Sequence, residues 1–260
     1  MNPVTSKIHR LHWFLSSQLG INIRTFLYAI VGFPKFVRDY FRFNKNNNDK
    51  IEFMPCLTDW REAGGDTKSE YFLQDLYVAQ KIFRARPDKH VDIGSRVDGF
   101  VAHVASFRSI EVFDIRPTEA TVSGIQFKKE DLMNPSSSLR DYSDSVSCLH
   151  TLEHFGLGRY GDPIDPKGYE VGLKNMSQIL KKDGTFYLST PIGEARVIFN
   201  ANRIFDPRNI NRLANENALE LQAFAWIEDG SLKESNNFEV DFDGLSQASY
   251  ALGIFTFRKL

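Results

Sequence analysis

The feature that most constrains this fold is the stretch at residues 90–100, which joins a short strand, a glycine turn and the start of a helix. Residues 90–93 have the apolar character of the end of a buried strand, residues 94–99 predict a turn, and a helix is predicted to begin at Phe100. A strand, a glycine turn and a helix N-terminus together present backbone N–H groups that a ligand can approach closely. The stretch therefore predicts an α/β fold with a ligand site at this turn.

A carboxylate at the end of the next predicted strand extends this site. Residues 110–114 form that strand and end in Asp114, about 20 residues beyond Gly94, the offset at which an acid meets the hydroxyls of a bound ribose. Arg116 and Pro117 are expected to stop the strand. A glycine turn is common by itself, whereas the turn and the acid together favour a ribose-containing ligand.

Strands and helices alternate along the remainder of the chain. Amphipathic helices are predicted at residues 66–86 and 169–180 and within 203–218, and only residues 118–124 remain where a helix would normally follow the second strand. Basic residues 181–182 and Gly184 are expected to close the second helix, and Pro191 to cut the fifth strand. The strands after the second are predicted at residues 124–128, 145–149, 185–189, 219–227 and 252–257. Five strands alternating with helices, then two in succession, predict a doubly wound α/β sheet of about seven strands with an antiparallel C-terminal pair.

The first part of the chain differs from the rest in charge. Residues 1–50 carry eight Lys and Arg residues against two Asp residues, an excess of six positive charges, so the remainder has a net charge of −7. Residues 1–43 predict a basic amphipathic helical extension, which Gly32 and Pro34 are expected to kink or split. Residues 44–65 are predicted to form a linker and lead-in. One interpretation packs this helix pair on the main domain, residues 66–260. The other places it as an anchor on an anionic membrane surface.

Composition excludes several classes of protein. The net charge of −1 argues against a nucleic-acid binder, and two cysteines do not make a disulfide framework. Cys148 lies in an apolar strand pattern and is expected to be a buried thiol. The longest apolar run, residues 26–33, is far shorter than the roughly 20 residues of a membrane span. Without a recognisable secretory signal, the expected location is the cytoplasm, with peripheral membrane contact through residues 1–43 as an open possibility.

The strand order, the segment Val91-Asp92-Ile93-Gly94, the acids Asp114 and Asp131 and the terminal strand pair resemble the class I S-adenosylmethionine-dependent methyltransferases. The resemblance covers about residues 66–260 and is most specific at 90–100, 113–117 and 149–163. These three pieces also resemble an uncharacterised, domain-of-unknown-function branch found among bacterial surface-glycan biosynthesis proteins. The resemblance implies a Rossmann-like fold and S-adenosylmethionine as the cofactor.

Roles for individual residues follow from this resemblance. Asp92 would hold the methionine amino group, Asp114 with Ile115 would bind the ribose, and Asp131 with Leu132 would face the adenine. A plain helix N-cap is the alternative for Asp131. The turn would be shaped by Gly94, Ser95, Arg96 and Gly99. Arg96 stands where the family has its middle glycine; it would pair with Asp98, reach the cofactor carboxylate, or block the pocket.

Charge distinguishes the candidate cofactors. A dinucleotide would place two phosphates against this turn, which the missing middle glycine and nearby Asp98 both disfavour. S-adenosylmethionine has no phosphate and carries a sulfonium and an ammonium group, so acidic Asp92 and Asp98 are compatible with it. A nicotinamide-dependent enzyme on the same fold class is accordingly the less favoured alternative.

Two imidazoles and a carboxylate follow the fourth predicted strand. His150, Glu153 and His154 lie where the carboxyl ends of strands line the binding crevice of an open α/β sheet. We predict that His154, farther from the sheet, removes a proton from a hydroxyl acceptor and that His150 supports it. The alternatives are a structural pair and a shared metal, for which no further ligand cluster is visible, so no metal is predicted.

The loop after these residues is polar and rich in glycine. Arg159, Tyr160 and Asp162 are candidate contacts to a hydroxylated sugar, because loops beyond a rigid strand commonly carry specificity. The alternative is a surface loop whose Asp-Pro pairs only make turns. The sequence thus favours O-methylation of a small-molecule or lipid-linked sugar or other glycan intermediate. A non-catalytic Rossmann-like binding or scaffold protein in glycan assembly is the second hypothesis.

Overall fold

A computed structural model of the chain describes residues 3–62, 64–116 and 121–260. The chain forms two compact units, Met1–Asp66 and Thr67–Leu260. Pro117 and residues 118–120 of the short segment predicted in place of a helix lie outside the described residues. Among the residues that are described, no helix is both long enough and apolar enough to cross a lipid bilayer.

The first unit contains two helices, α1 (Pro3–Gln18) and α2 (Ile23–Asn44). Helix α2 begins after Asn22, whose side chain accepts a hydrogen bond from the backbone N–H of Thr25 at 3.1 Å. The prediction that Gly32 and Pro34 split this helix is wrong, because α2 runs through both residues. Gly32 serves close packing instead: a Cβ atom there would lie 1.9 Å from the carbonyl oxygen of Leu57.

The second unit is built on an eight-stranded sheet, and its fold confirms the predicted doubly wound α/β class. Its strand order is β3-β2-β1-β4-β5-β10-β8-β9. The first five of these strands are parallel neighbours, and β10 and β8 form the predicted antiparallel pair. The strands of the sheet are β1 (His90–Ile93), β2 (Ile110–Asp114), β3 (Ile125–Lys129), β4 (Ser143–Leu149), β5 (Leu180–Ile192), β8 (Leu219–Glu228), β9 (Ser231–Glu234) and β10 (Ala251–Lys259).

Helices cover both faces of this sheet, as the doubly wound class requires. One core lies between the sheet and α3 (Glu70–Ala85) with α4 (Ala102–Ala105), and its buried side chains include Val78, Val104 and Val112. The other core contains Met176 and Leu213 from the helices of the opposite face, and it includes the buried thiol predicted at Cys148. The helices of that face are α5 (Gly168–Ile179), α6 (Pro207–Glu216) and α7 (Phe238–Leu245).

Two predicted endings in the middle of the chain are wrong. Helix α5 ends at Ile179 without a basic last turn, because Leu180 turns to extended backbone and pairs with Ser143 of β4. Residues 181–184 instead form an irregularity inside β5, where the register to β4 shifts. Pro191 does not cut β5, since it pairs with Leu252 and its carbonyl accepts a hydrogen bond from the N–H of Phe205.

The polar segments of the C-terminal half contain more structure than the sequence indicated. The polar segment between β8 and β10 contains β9 and α7, and β9 extends the edge of the sheet. A separate two-stranded hairpin, β6 (Arg196–Ile198) and β7 (Asn202–Ile204), which was not predicted, lies between β5 and α6. Short polar strands of this kind lack the apolar alternation that predicts longer ones.

Candidate active site

The predicted site residues meet at the carboxyl ends of three neighbouring strands. Strand β1 pairs in parallel with β2 on one side and with β4 on the other. Gly94, Asp114 and His150 each follow or end one of these strands. This is the edge at which open α/β sheets bind ligands.

The turn after β1 requires glycine at its first position. Gly94 has a φ of +67°, in the left-handed region, and its N–H donates to the carbonyl of Phe113 at 2.9 Å. A Cβ atom at Gly94 would lie 2.6 Å from Cγ2 of Thr151, the second residue beyond β4. The turn is therefore packed against the segment that carries the histidines.

We expect Gly94→Ala to lower the free energy of unfolding by about 2 kcal/mol or more, from the left-handed backbone and the contact with Thr151 together. Urea unfolding measures this change. Thr151→Ala removes the Cγ2 contact, so the double variant should lose less stability than the sum of the two single variants. Additive losses would contradict this role for the contact.

Asp92 and Ser95 form the base of the turn. The buried Asp92 carboxylate accepts hydrogen bonds from Ser95 N at 2.9 Å, Ser95 Oγ at 2.7 Å and Ser147 Oγ at 2.6 Å. Burial raises the pKa of Asp92 to about 6, although these bonds act in the opposite direction. The carboxylate thus ties β1, the turn and β4 together.

Arg96 lies at the exposed side of the turn. Its Nε and Nη2 donate to Asp98 at 3.1 and 2.8 Å, so it adopts the pairing that was one of its three predicted roles. Its guanidinium also lies 5.4 Å from the ring centre of Tyr71. At the buried side, a Cβ at Gly99 would lie 2.5 Å from Oδ2 of Asp75, a carboxylate of α3 whose pKa burial raises.

Asp114 is held by an arginine two residues later. Its Oδ1 accepts from the N and Nε atoms of Arg116 at 2.8 and 2.9 Å, and its Oδ2 accepts from Nη2 at 2.6 Å. The Arg116 guanidinium lies 4.6 Å from the ring centre of Tyr160, which links β2 to the loop after β4. Ile115, between the two, is half-buried.

Asp131 and Leu132 follow β3. The N-cap interpretation of Asp131 is wrong, because the Asp131 side chain closes a turn: Oδ1 accepts from Met133 N at 2.9 Å, and no helix begins there in the described chain. Leu132 is buried in the core, and its carbonyl accepts from Nδ2 of Asn175 on α5.

His150 is a buried cation between two carboxylates. Its Nδ1 lies 2.8 Å from Oε1 of Glu153, and its Nε2 lies 3.4 Å from Oε1 of Glu70, an ion-pair distance without hydrogen-bond alignment. Burial lowers the pKa of His150, but the two carboxylates outweigh this effect and raise it to about 9. The imidazole is therefore protonated at neutral pH and unsuited to act as a base.

Two further members of this cluster, Glu70 and Tyr71, could not be identified as site residues from the sequence. Glu70 stands at the start of α3, and its Oε2 accepts a hydrogen bond at 2.7 Å from the hydroxyl of Tyr250, 180 residues later. Tyr71 adds a ring whose centre lies 4.7 Å from that of His150. The amphipathic pattern of α3 marks none of these contacts, because they form between elements that are distant in sequence.

His154, in contrast to His150, is neutral. Its Nδ1 lies 2.8 Å from the carbonyl oxygen of Ala201, which can only accept, so Nδ1 carries the proton and neutral Nε2 keeps its lone pair. Burial lowers the pKa of His154. The ring is 13% exposed and lies edge-on to Tyr160, with 5.4 Å between ring centres. A neutral, partly exposed imidazole with a free Nε2 can accept a proton.

The two histidines do not share a ligand position. Each Nδ1 has its own partner, Glu153 for His150 and Ala201 for His154. No group of three or more His, Cys, Asp or Glu side chains suited to a metal ion occurs within the part of the chain that is described.

The loop after His154 is fixed by side chains of its own and by the β6–β7 hairpin. Arg159 donates to the carbonyl of Ala201 at 2.8 Å, and Asp162 accepts from the N–H groups of Gly158 and Tyr160 at 3.2 Å each. Buried Arg203 of β7, a residue that sequence analysis missed, donates to the carbonyls of Phe155 and Pro166. Asp162 therefore organises the loop, and Tyr160 presents a ring beside His154.

Comparison with known protein families identifies the family of this chain. The family model described as "Caenorhabditis protein of unknown function, DUF268" matches residues 103–252. The chain belongs to the DUF268 family. The match covers β2 to the start of β10 and includes His150, Glu153 and His154. Comparison of this DUF268 chain with curated proteins finds no match.

Three solved structures of other proteins have folds similar to that of this DUF268 chain. The first, described as a sarcosine dimethylglycine methyltransferase from Galdieria sulphuraria, is similar at 13% identity and a TM-score of 0.53, covering 85% of this chain and 97% of that one. The cyclase SpnF is similar at 10% identity and 0.52, covering 89% and 96%. The third is 1,6-didemethyltoxoflavin-N1-methyltransferase from Burkholderia thailandensis, in a structure with bound 1,6-didemethyltoxoflavin and S-adenosylhomocysteine, at 15% identity and 0.51, covering 71% and 78%. These similarities confirm the predicted Rossmann-like fold.

Proposed function

We propose that this DUF268 protein is an S-adenosylmethionine-dependent methyltransferase that acts on a hydroxyl acceptor. The observation that carries the proposal is the imidazole of His154, which lies just after the carboxyl end of β4 with its proton on Nδ1 and a lone pair on Nε2. Methyl transfer to a hydroxyl needs alignment and removal of one proton, and histidine is the commonest side chain for that task. The fold shared with methyltransferases supports the same activity by analogy.

The residues present fit the cofactor in charge. The bound cofactor would supply a methyl group on a sulfonium centre, and the buried acids Asp75 and Asp92 beside the turn favour cationic groups rather than phosphates. Asp114 would bind the ribose hydroxyls. Its carboxylate has about four acceptor positions, of which Arg116 occupies three, so acceptor capacity remains on Oδ2.

The chain's own residues supply the proton transfer. Nε2 of His154 would take the acceptor hydroxyl proton, and the hydrogen bond from Nδ1 to Ala201 keeps the required tautomer. The imidazolium that results lies 3.8 Å from Oε1 of Glu153, which stabilises its charge. Cationic His150 holds that carboxylate in place, since its Nδ1 lies 2.8 Å from the same Oε1 atom. Glu153 and His150 thus position and stabilise the base.

For the acceptor we propose a small-molecule or lipid-linked sugar or other glycan intermediate. The ring of Tyr160 is partly exposed beside His154, and an aromatic face suits the apolar face of a sugar. Arg159 lies next to it and offers hydrogen-bond donors to hydroxyl groups.

A second candidate is a Rossmann-like binding or scaffold protein without catalysis. The carboxylates of Asp92 and Asp114 are both engaged with protein donors, which is the state expected of a site that no longer holds a cofactor. The cyclase SpnF has a similar fold but is named for a different reaction, so the fold alone does not imply methyl transfer.

Titration with S-adenosylhomocysteine distinguishes the two functions. We expect calorimetry to detect binding to the wild type and a loss of about tenfold or more in affinity for Asp114→Ala, since a buried charge-assisted hydrogen bond contributes roughly 1.5–3 kcal/mol. Asp183→Asn, an exposed acid in the β5 irregularity, is the matched control and should bind like wild type. Binding unaffected by Asp114→Ala would remove that residue from the site, and no binding by the wild type would favour the scaffold.

A further inference from the structure

Helix α2 presents an apolar face to solvent that a helix packed within a globular unit would bury. Its opposite side packs on the same unit: Gly32 lies against Leu57, and the rings of Phe36 and Tyr40 contact Phe53, with 6.3 and 5.0 Å between ring centres. The exposed residues at three- and four-residue spacing form an apolar stripe, made of Phe26 (65% exposed), Leu27 (54%), Ile30 (56%), Phe33 (54%) and Phe41 (62%).

Positive charge runs along one side of this stripe. The spacing of its four cations places them on a single flank of α2, between the stripe and the packed side. Asp39 is the one acid of α2; it lies 2.5 Å from Nζ of Lys35 and 3.3 Å from Nε of Arg38. The basic flank consists of Arg24, Lys35, Arg38 and Arg42 and keeps a net positive charge.

We propose that the apolar stripe and basic flank of α2 bind the surface of an anionic phospholipid membrane, with the helix lying in the plane of the interface. Apolar and aromatic side chains would enter the boundary between headgroups and acyl chains, while the cations meet lipid phosphates. The proposal rests on α2 alone and is independent of the proposed function.

Charge favours lipid over a second copy of this chain. In an antiparallel symmetric pair of α2 helices, the two basic flanks would lie on the same side of the interface and repel each other. The phosphates of anionic lipids instead carry the charge complementary to Arg24, Arg38 and Arg42. The same reasoning predicts that binding weakens as salt concentration rises.

Vesicle flotation of the full chain tests the proposal. We expect the wild type to float with phosphatidylcholine vesicles that contain phosphatidylserine and to float less with phosphatidylcholine alone. The basic-flank variant Arg24→Gln/Arg38→Gln/Arg42→Gln should bind about a hundredfold more weakly, since each cation near the surface contributes about 1 kcal/mol. The matched control changes three exposed lysines of the second unit, Lys174→Gln/Lys181→Gln/Lys182→Gln, and should float like wild type.

A second pair of variants tests the apolar stripe. Phe26→Ala/Ile30→Ala/Phe33→Ala preserves helix propensity and should lower vesicle affinity about tenfold or more, because buried phenyl rings contribute most of the apolar transfer energy. Its control alters exposed apolar residues elsewhere, Val122→Ala/Val197→Ala/Val240→Ala. Flotation that the stripe variant leaves unchanged, or a wild type that fails to float, would overturn the proposal. So would a concentration-dependent dimer that the stripe variant abolishes without flotation, since this would assign the face to a second copy.

Discussion

His154→Ala should lower turnover by about 10²-fold or more while leaving the affinity for S-adenosylhomocysteine nearly unchanged. The imidazole that we assign as general base has its Nδ1 proton directed at Ala201, and its Nε2 supplies the lone pair. Removing it takes away the proton acceptor but no group that we place on the cofactor. Radiolabelled methyl transfer to a panel of nucleotide-linked and lipid-linked sugars provides the measurement.

The pH profile gives a second measure of the same assignment. Burial lowers the pKa of His154 from the ordinary value of 6.5, so turnover should rise with pH and reach half its maximum below pH 6.5. The His154→Ala enzyme should lose this rise, and added imidazole should restore part of its turnover. Unchanged turnover of His154→Ala on a verified acceptor would refute the assignment.

Replacing His150 by glutamine should remove about 3–5 kcal/mol from the free energy of unfolding. The substitution leaves the buried carboxylate of Glu153 and the half-buried carboxylate of Glu70 without the cation between them. Breaking a buried ion pair from one side has a cost of this size. Urea unfolding at neutral pH measures the loss. Glu70→Gln/His150→Gln, which removes one charge of each sign, should lose less than the sum of the single variants. Additive losses would mean that the pair is not coupled.

The wild type should also lose stability as the pH rises. His150 has a pKa of about 9 in the folded protein, above the ordinary 6.5 that it regains on unfolding. Its stabilising contribution, about 3 kcal/mol from the difference in pKa, is therefore fully present below pH 6.5 and is lost as the pH rises through about 9. The difference in unfolding free energy between wild type and His150→Gln should shrink across that window. A difference independent of pH would show that His150 is not charged in the folded protein.

Local sequence signals were enough to predict most of the sheet and the edge of it at which the candidate site residues lie. Apolar strand residues, the glycine turn at Gly94 and the acid at Asp114 are such signals, because backbone geometry and side-chain burial act over a few neighbouring residues. Parallel strands bring their carboxyl ends to one edge, so the predicted strand order was sufficient to group Asp114, His150 and His154. The endings at residues 181–184 and at Pro191 could not be predicted, because strand pairing with β4 and β10 overrides the local preference.

The protonation states on which the proposed chemistry depends require burial and tertiary contacts as well as local neighbours. His150 and His154 are the same residue type four positions apart, and nothing in their sequence predicts that one is a cation and the other a neutral base. The carboxylates of Glu153 and of the distant Glu70 raise the pKa of His150, whereas burial lowers that of His154. The carbonyl of Ala201, also distant in sequence, fixes the His154 proton on Nδ1. Electrostatic interactions depend on separation in space and on burial, and neither quantity is encoded in local sequence spacing.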